Sequence, residues 1–152
     1  MADIRHAILI NAPPEKIRTL CSSAKGFTFW WAADSVELGK DGSVELGFFS
    51  KSTVYRLRPR KTTESEIIWR CESGKEWEGT DISFRPEPSN GATLLRFAHS
   101  NWKKEADYFV LCSTTWGDLM HRLKAAAEGK TPGPLFTITG LPGLRGRAVL
   151  RQ

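Results

Sequence analysis

The chain has little of what marks several common protein classes. Its three cysteines, Cys21, Cys71 and Cys112, are odd in number and widely spaced. That excludes a disulfide framework or a zinc motif readable from spacing. Each sits within an apolar pattern, which predicts three buried, reduced thiols. Neither His-Glu-x-x-His nor Cys-x-x-Cys occurs, and His6, His99 and His121 show no metal-ligand spacing. The Gly-x-Ser-x-Gly turn of a nucleophilic serine is missing as well. No metal or other cofactor is expected. No stretch has the length and apolarity of a transmembrane helix, and residues 1–6 lack a signal-peptide pattern. The expectation is a cytoplasmic protein without stable membrane insertion.

A concentrated positive charge is also lacking. The formal net charge is +5, but the last 18 residues hold Arg145, Arg147 and Arg151 and no acid. The remainder carries only +2. A nearly balanced body is not a nucleic-acid footprint, and no nucleic-acid partner is expected. Arg56, Arg58 and Arg60 alternate onto one solvated face, with Glu64 and Glu66 as expected partners. Two look-alike motifs fail on context. Gly129-Lys130-Thr131 resembles the end of a P-loop, but Lys124 stands where glycine is required and a helix precedes it instead of a strand. Lys25-Gly26-Phe27-Thr28-Phe29 resembles an RNA-recognition sequence, but the preceding strand lies too close for that fold.

Aromatic side chains, in contrast, are plentiful, with six Trp and eight Phe. Rings of this size fill cores or line apolar pockets, so their placement matters. Period-2 alternation places Ile4, His6, Ile8 and Ile10 on one face of a first strand. Asn11-Ala12-Pro13-Pro14-Glu15 opens a short helix, with Asn11 as its expected cap and Ile17, Leu20 and Cys21 on its apolar side. A second short helix or an irregular corner is expected over residues 26–32. Strands over 35–38 and 43–49 flank Gly39-Lys40-Asp41-Gly42, a strong turn signal. Tyr55 and Leu57 share a face of the next strand, and Ile67, Trp69 and Cys71 share a face of the one after. Ile82 and Phe84 alternate in one strand, and Thr93, Leu95, Phe97 and His99 in another, with residues 86–91 as a loop between them.

A long terminal helix starts near Ala106 and stops at Gly129, a natural C-cap. Phe109, Cys112, Trp116, Leu119, Leu123 and Ala126 recur at three- and four-residue spacing and form its apolar stripe. Gly117 weakens this helix by about 1 kcal/mol relative to Ala, and its small size permits close packing against a neighbour. Hydroxyls of Ser113, Thr114 and Thr115 are expected to bond back to helix carbonyls. Residues 135–152 contain Gly, a Pro and no apolar period. The expected organisation is one domain over 1–134 and a flexible basic tail over 135–152.

The run Trp77-Glu78-Gly79-Thr80-x-Ile82-x-Phe84, then Gly91-x-Thr93-x-Leu95-x-Phe97-x-His99-x-x-Trp102, then Cys112-x-x-x-Trp116-x-x-Leu119-x-x-x-Leu123-Lys124 resembles the START-like (Bet v 1-like, SRPBCC) superfamily. Within it, the chain is similar to the group of the C-terminal domain of the Hsp90 ATPase activator. The resemblance covers residues 3–134. It implies an α+β helix-grip fold: a curved seven-stranded antiparallel sheet around a long C-terminal helix, with two short helices after strand 1. Many members bind hydrophobic small molecules or lipids, some are cyclases, and many have no known activity. The resemblance therefore informs fold more than reaction.

The functional expectation is an apolar pocket between sheet and terminal helix that binds a small hydrophobic molecule. Its candidate lining is Trp30, Phe48, Tyr55, Trp69, Phe84, Phe97, His99, Trp116 and Met120. His99 and Tyr55 would orient the ligand, and His99 is alternatively a general base or a structural histidine. A protein-interaction or chaperone co-regulator module is the second reading. A cyclase or hydrolase is the third, and it lacks an evident carboxylate partner for the histidine.

Overall fold

Alternating apolar residues produce seven strands among the described residues, and they pair in the order β1-β7-β6-β5-β4-β3-β2. The strands are β1 (Ala2–Ile10), β2 (Ser35–Leu38), β3 (Val44–Phe48), β4 (Thr53–Thr62), β5 (Ile67–Ser73), β6 (Asp81–Ser89) and β7 (Ala92–Trp102). The helices are α1 (Pro14–Cys21), α2 (Ala24–Thr28) and α3 (Asp107–Ala127). The computed structural model describes residues 2–31, 35–39, 41–48 and 53–132, except the side chains of Ser35, Phe48 and Thr53. The expected tail over 135–152 lies outside the described residues, as does the side chain of Phe48.

Every strand pairing is antiparallel. The inner face carries Ile4, Ile10, Leu46, Leu57, Trp69, Phe84 and Phe97, all buried. The terminal helix lies against that face with Trp116, Leu119, Met120 and Leu123 buried. This is the expected α+β helix-grip layout. The helix ends as its sequence predicts. Gly129 adopts φ +88°, its N–H bonds Ala126 O at 3.2 Å, and the Lys130 N–H bonds Ala125 O at 2.8 Å. Those two bonds are a Schellman stop. Among the described residues, no helix is long and apolar enough to cross a membrane.

Several local expectations need correction. Asn11 does not cap α1. Pro13 holds the N-cap position, and the Asn11 N–H instead donates to the Glu128 carboxylate at 2.7 Å. Residues 86–89 are strand, not loop: Pro86 pairs with Leu95 and Pro88 with Thr93. Pairing between β5 and β6 stops at Phe84. Beyond it β6 has a free edge, where proline's missing N–H costs no ladder bond. The reversal is confined to Asn90 and Gly91, with φ +48° and +83°, a two-residue hairpin turn.

The outer face is charged, with different pairings from those expected. Arg56 bonds Glu45 at 2.7 Å, Arg58 bonds Asp41 and Glu72, and Arg60 bonds Asp81 at 2.9 Å. Glu66 takes Lys61 instead. Cross-strand neighbours lie closer than sequence neighbours on a pleated sheet, and a register shift between Pro59 and Lys61 re-aims the strip.

Candidate functional site

The space between sheet and α3 is furnished by aromatic rings. Trp30, Tyr55, Trp69, Phe84, Phe97, His99, Trp116 and Met120, eight of the nine expected lining residues, are each at most 3% exposed. Phe97 lies 4.3 Å from Trp116 between ring centroids, Phe84 lies 5.5 Å from Phe97, and Trp30 lies 6.0 Å from Phe84. Trp69 sits to one side, against Phe27 at 5.2 Å.

Trp30 and Trp69 are fastened by their polar ends. The Trp30 Nε1–H donates to Leu20 O at 2.8 Å, and the Trp69 Nε1–H to Cys21 O at 2.9 Å. Both acceptors lie in the last turn of α1, where helix carbonyls lack intrahelical partners. These two rings pin the short helices to the sheet.

His99 is fully buried and bonded at both nitrogens. The Trp116 indole N–H, which can only donate, reaches Nδ1 at 3.0 Å. Nδ1 is therefore the acceptor, and the proton sits on Nε2. That N–H donates to Thr80 Oγ1 at 2.8 Å, and the Thr80 hydroxyl donates to Trp77 O. Burial away from water pushes the imidazole down to a pKa of about 3. With both ring nitrogens engaged, this arrangement leaves no free lone pair on His99 for a substrate proton.

Tyr55 is likewise engaged: its hydroxyl hydrogen-bonds that of Tyr108. Burial raises the pKa of both phenols. Cys112 lies near them, and burial pushes its thiol up to about 11. Cys71 is pushed up to about 12, also by burial. All three cysteines are free and buried, as the sequence predicts.

Several contributors were not legible as site residues. Tyr108 lies four residues before Cys112 on the helical stripe, a signal the spacing carried. Thr80 continues the alternation of Ile82 and Phe84, a signal the spacing carried, whereas Trp77 belongs to no period. Trp77 enters the interior from the segment between β5 and β6 and stacks on Tyr55, with centroids 4.1 Å apart and planes 9° apart. Trp102 lies 4.8 Å from His99. The indole N–H groups of Trp77 and Trp102 are buried without an oxygen or nitrogen acceptor, and only the Cys112 thiol lies beside that of Trp77. His6, on the edge strand β1, contacts Ser113 O at 3.0 Å through Nε2 and ties that edge to α3.

Among the described residues, open clefts lie outside this interior. One, of about 420 Å³, crosses the outer sheet face around Arg5, Ser83, Arg85 and Arg96. Another, of about 90 Å³, lies beside the segment between β5 and β6, at Lys75, Glu76, Glu78, Trp102, Lys103 and Lys104. Among the described residues, His, Cys, Asp and Glu form no group of three able to hold a metal ion.

No family model and no curated protein matches the chain. Solved structures do. The Aha1 dimer from Colwellia psychrerythraea is 29% identical with a TM-score of 0.74, over 85% of this chain and 98% of that one. A START superfamily protein from Mycobacterium smegmatis is 17% identical with a TM-score of 0.68, over 83% and 97%. The XoxI protein from Bacillus cereus is 14% identical with a TM-score of 0.72, over 85% and 97%. The topology and these neighbours agree: the chain has the START-like, Aha1-like helix-grip fold.

Proposed function

We propose that this protein binds a small hydrophobic molecule between the inner face of the sheet and α3. The observation that carries the reading is a polar mismatch inside an aromatic interior. Two buried indole N–H donors are poorly satisfied: that of Trp102 has no hydrogen-bond partner, and that of Trp77 has beside it only the Cys112 thiol, a weak acceptor. A buried donor without an acceptor costs about 1–3 kcal/mol. Such groups mark a strained packing or a place where another acceptor belongs. The rings of Phe97, Trp116 and Tyr55 supply apolar surface, at about 25 cal/mol per Å² removed from water.

Native mass spectrometry of the gently purified full chain tests this, together with calorimetric titration of decanoate and 2-naphthol. A retained small molecule, or binding of either probe, is the expected result. An empty protein that takes up neither probe overturns the reading.

A second reading, a chaperone co-regulator, rests on the 29% identity with the Aha1 dimer structure. Its test is direct titration of the chain against purified Hsp90, where absence of binding removes it. The cyclase or hydrolase reading draws no support from His99, which is bonded at both nitrogens and depressed to a pKa of about 3.

A further inference from the structure

Trp77 is the one buried side chain in residues 74–79; Lys75, Glu78 and Gly79 are exposed. Its indole lies flat on Tyr55, near-parallel to Trp116 at 6.1 Å and 21°, and edge-on to His99 at 4.8 Å and 84°. A single side chain from a polar connecting segment thus fills a flat aromatic slot at one end of the interior.

The way Trp77 is held differs from that of its neighbours. Trp30, Trp69 and Trp116 each donate their indole N–H to a protein acceptor. The Trp77 N–H has no oxygen or nitrogen acceptor, although the residue is only 6% exposed. Among the described residues its one neighbouring acceptor is the Cys112 thiol, a weak one. Withdrawing the ring exchanges that weak sulfur contact for water, so the donor is better satisfied in the withdrawn state.

The segment also has hinge positions at both ends. Gly74 and Gly79 adopt φ +116° and +85°, where glycine is freest. At Gly74 a Cβ would fall 2.0 Å from Tyr55 Cδ1, so the ring under the indole itself demands glycine there. A polar latch holds the segment shut. Trp77 O accepts from the Thr80 N–H at 2.9 Å and from the Thr80 hydroxyl, which in turn accepts from His99. Opening frees the Thr80 hydroxyl and uncovers the Cys112 thiol beside the vacated slot. The 90 Å³ cleft leaves the segment unpacked on its outer side.

We propose that Trp77 is a removable plug, and that the slot it fills takes a flat, two-ring aromatic ligand bearing one hydroxyl or carbonyl group. This rests on the ligand-binding reading above and specifies its site and ligand class. The vacated space has the thickness and outline of an indole, and Tyr55 and Trp116 offer stacking faces that a flexible chain leaves unused. The ligand's polar group meets the Thr80 hydroxyl or the Cys112 thiol at the rim. Because the plug competes with the ligand, the apparent affinity is lowered by the small fraction of open protein.

The test is calorimetric titration of 2-naphthol and of decanoate into the full chain, wild type and Trp77→Ala. Removing the plug is expected to tighten 2-naphthol binding by about tenfold or more, and to leave decanoate the weaker ligand. In the wild type, 2-naphthol is expected to speed hydrogen exchange at the Glu78, Gly79 and Thr80 amides, which the closed segment bonds to Gly74, Cys71 and Trp77 carbonyls. Should Trp77→Ala not fold, that exchange measurement decides, with Trp77→Phe as the milder variant. Equal 2-naphthol affinity in wild type and variant, with unchanged exchange, overturns the plug. Binding of decanoate without 2-naphthol overturns the aromatic slot and leaves the ligand-binding reading standing. Silence from both probes in both proteins overturns the two together.

Discussion

The Trp116 indole N–H donates to Nδ1 of His99 at 3.0 Å, and this one bond fixes the chemistry of the histidine. It puts the ring proton on Nε2, aims it at Thr80, and through Thr80 ties the terminal helix to the carbonyl of Trp77. Four residues from α3, β7 and the segment before β6 therefore form one buried network. The link from Trp116 needs a neutral imidazole, because a protonated Nδ1 cannot accept.

Acid should dissolve that network first. In the unfolded chain His99 takes a proton near its ordinary pKa of 6.5, while in the folded chain it does so only near 3. Between those values the unfolded state binds more protons, so stability is complete above about pH 6.5 and falls as pH drops toward 3. At pH 5 the loss is about 2 kcal/mol. Urea unfolding at pH 7.5 and pH 5.0 measures it, and His99→Gln should remove most of the slope. A wild type equally stable at both values refutes the assignment.

Trp116→Ala should cost about 3–5 kcal/mol, as for other buried aromatics. Trp116→Phe separates packing from hydrogen bonding. It keeps a ring against Phe97 but strands His99 Nδ1, for about 1–3 kcal/mol. Denaturant unfolding of both variants checks the order. A phenylalanine variant as stable as wild type means the bond to His99 carries no net stability.

Most of the fold was legible because period-2 alternation survives the pleat: Ile82 with Phe84, and Leu95 with Phe97 and His99, all turned inward. The helix stop was legible because Gly129 needs a positive φ. The short range of those signals also explains the failures. Pro86 and Pro88 look like loop residues until it is known that β5 stops pairing at Phe84. Eight of the expected lining residues are buried, but no pattern shows that Trp77 shares their interior, since a connecting segment has no period to aim its side chain. Nor does spacing show that His99 faces two partners at once, because Thr80 and Trp116 reach it from different elements.

Gly117 offers a stabilising substitution. Close packing was the expected reason for glycine there, but a Cβ would meet only His6 Cε1, at an ordinary 3.6 Å. Gly117→Ala should therefore recover the helix propensity, about 1 kcal/mol. Thermal unfolding measures the gain. A loss instead would mean that His6 must move and gives up its contact with Ser113 O.

The thiols provide a chemical readout of the interior. Only a thiolate reacts readily, and burial raises the pKa of all three cysteines. With Cys112 near 11, about one thiol in a thousand is ionised at pH 8, roughly a hundredfold fewer than for a group near 9. Native labelling with iodoacetamide should therefore run at least about a hundredfold slower than labelling in denaturant, before any further steric protection. Among the three, Cys112 should react first, because it lies beside Trp77 and its displacement requires only the segment between β5 and β6. Cys21 and Cys71 are 0% exposed, in α1 and in the sheet, and need larger openings. Trp77→Ala should accelerate Cys112 selectively. Peptide mapping of a labelling time course reads all three rates at once, and simultaneous modification of the three sites would mean that the interior opens only by global unfolding.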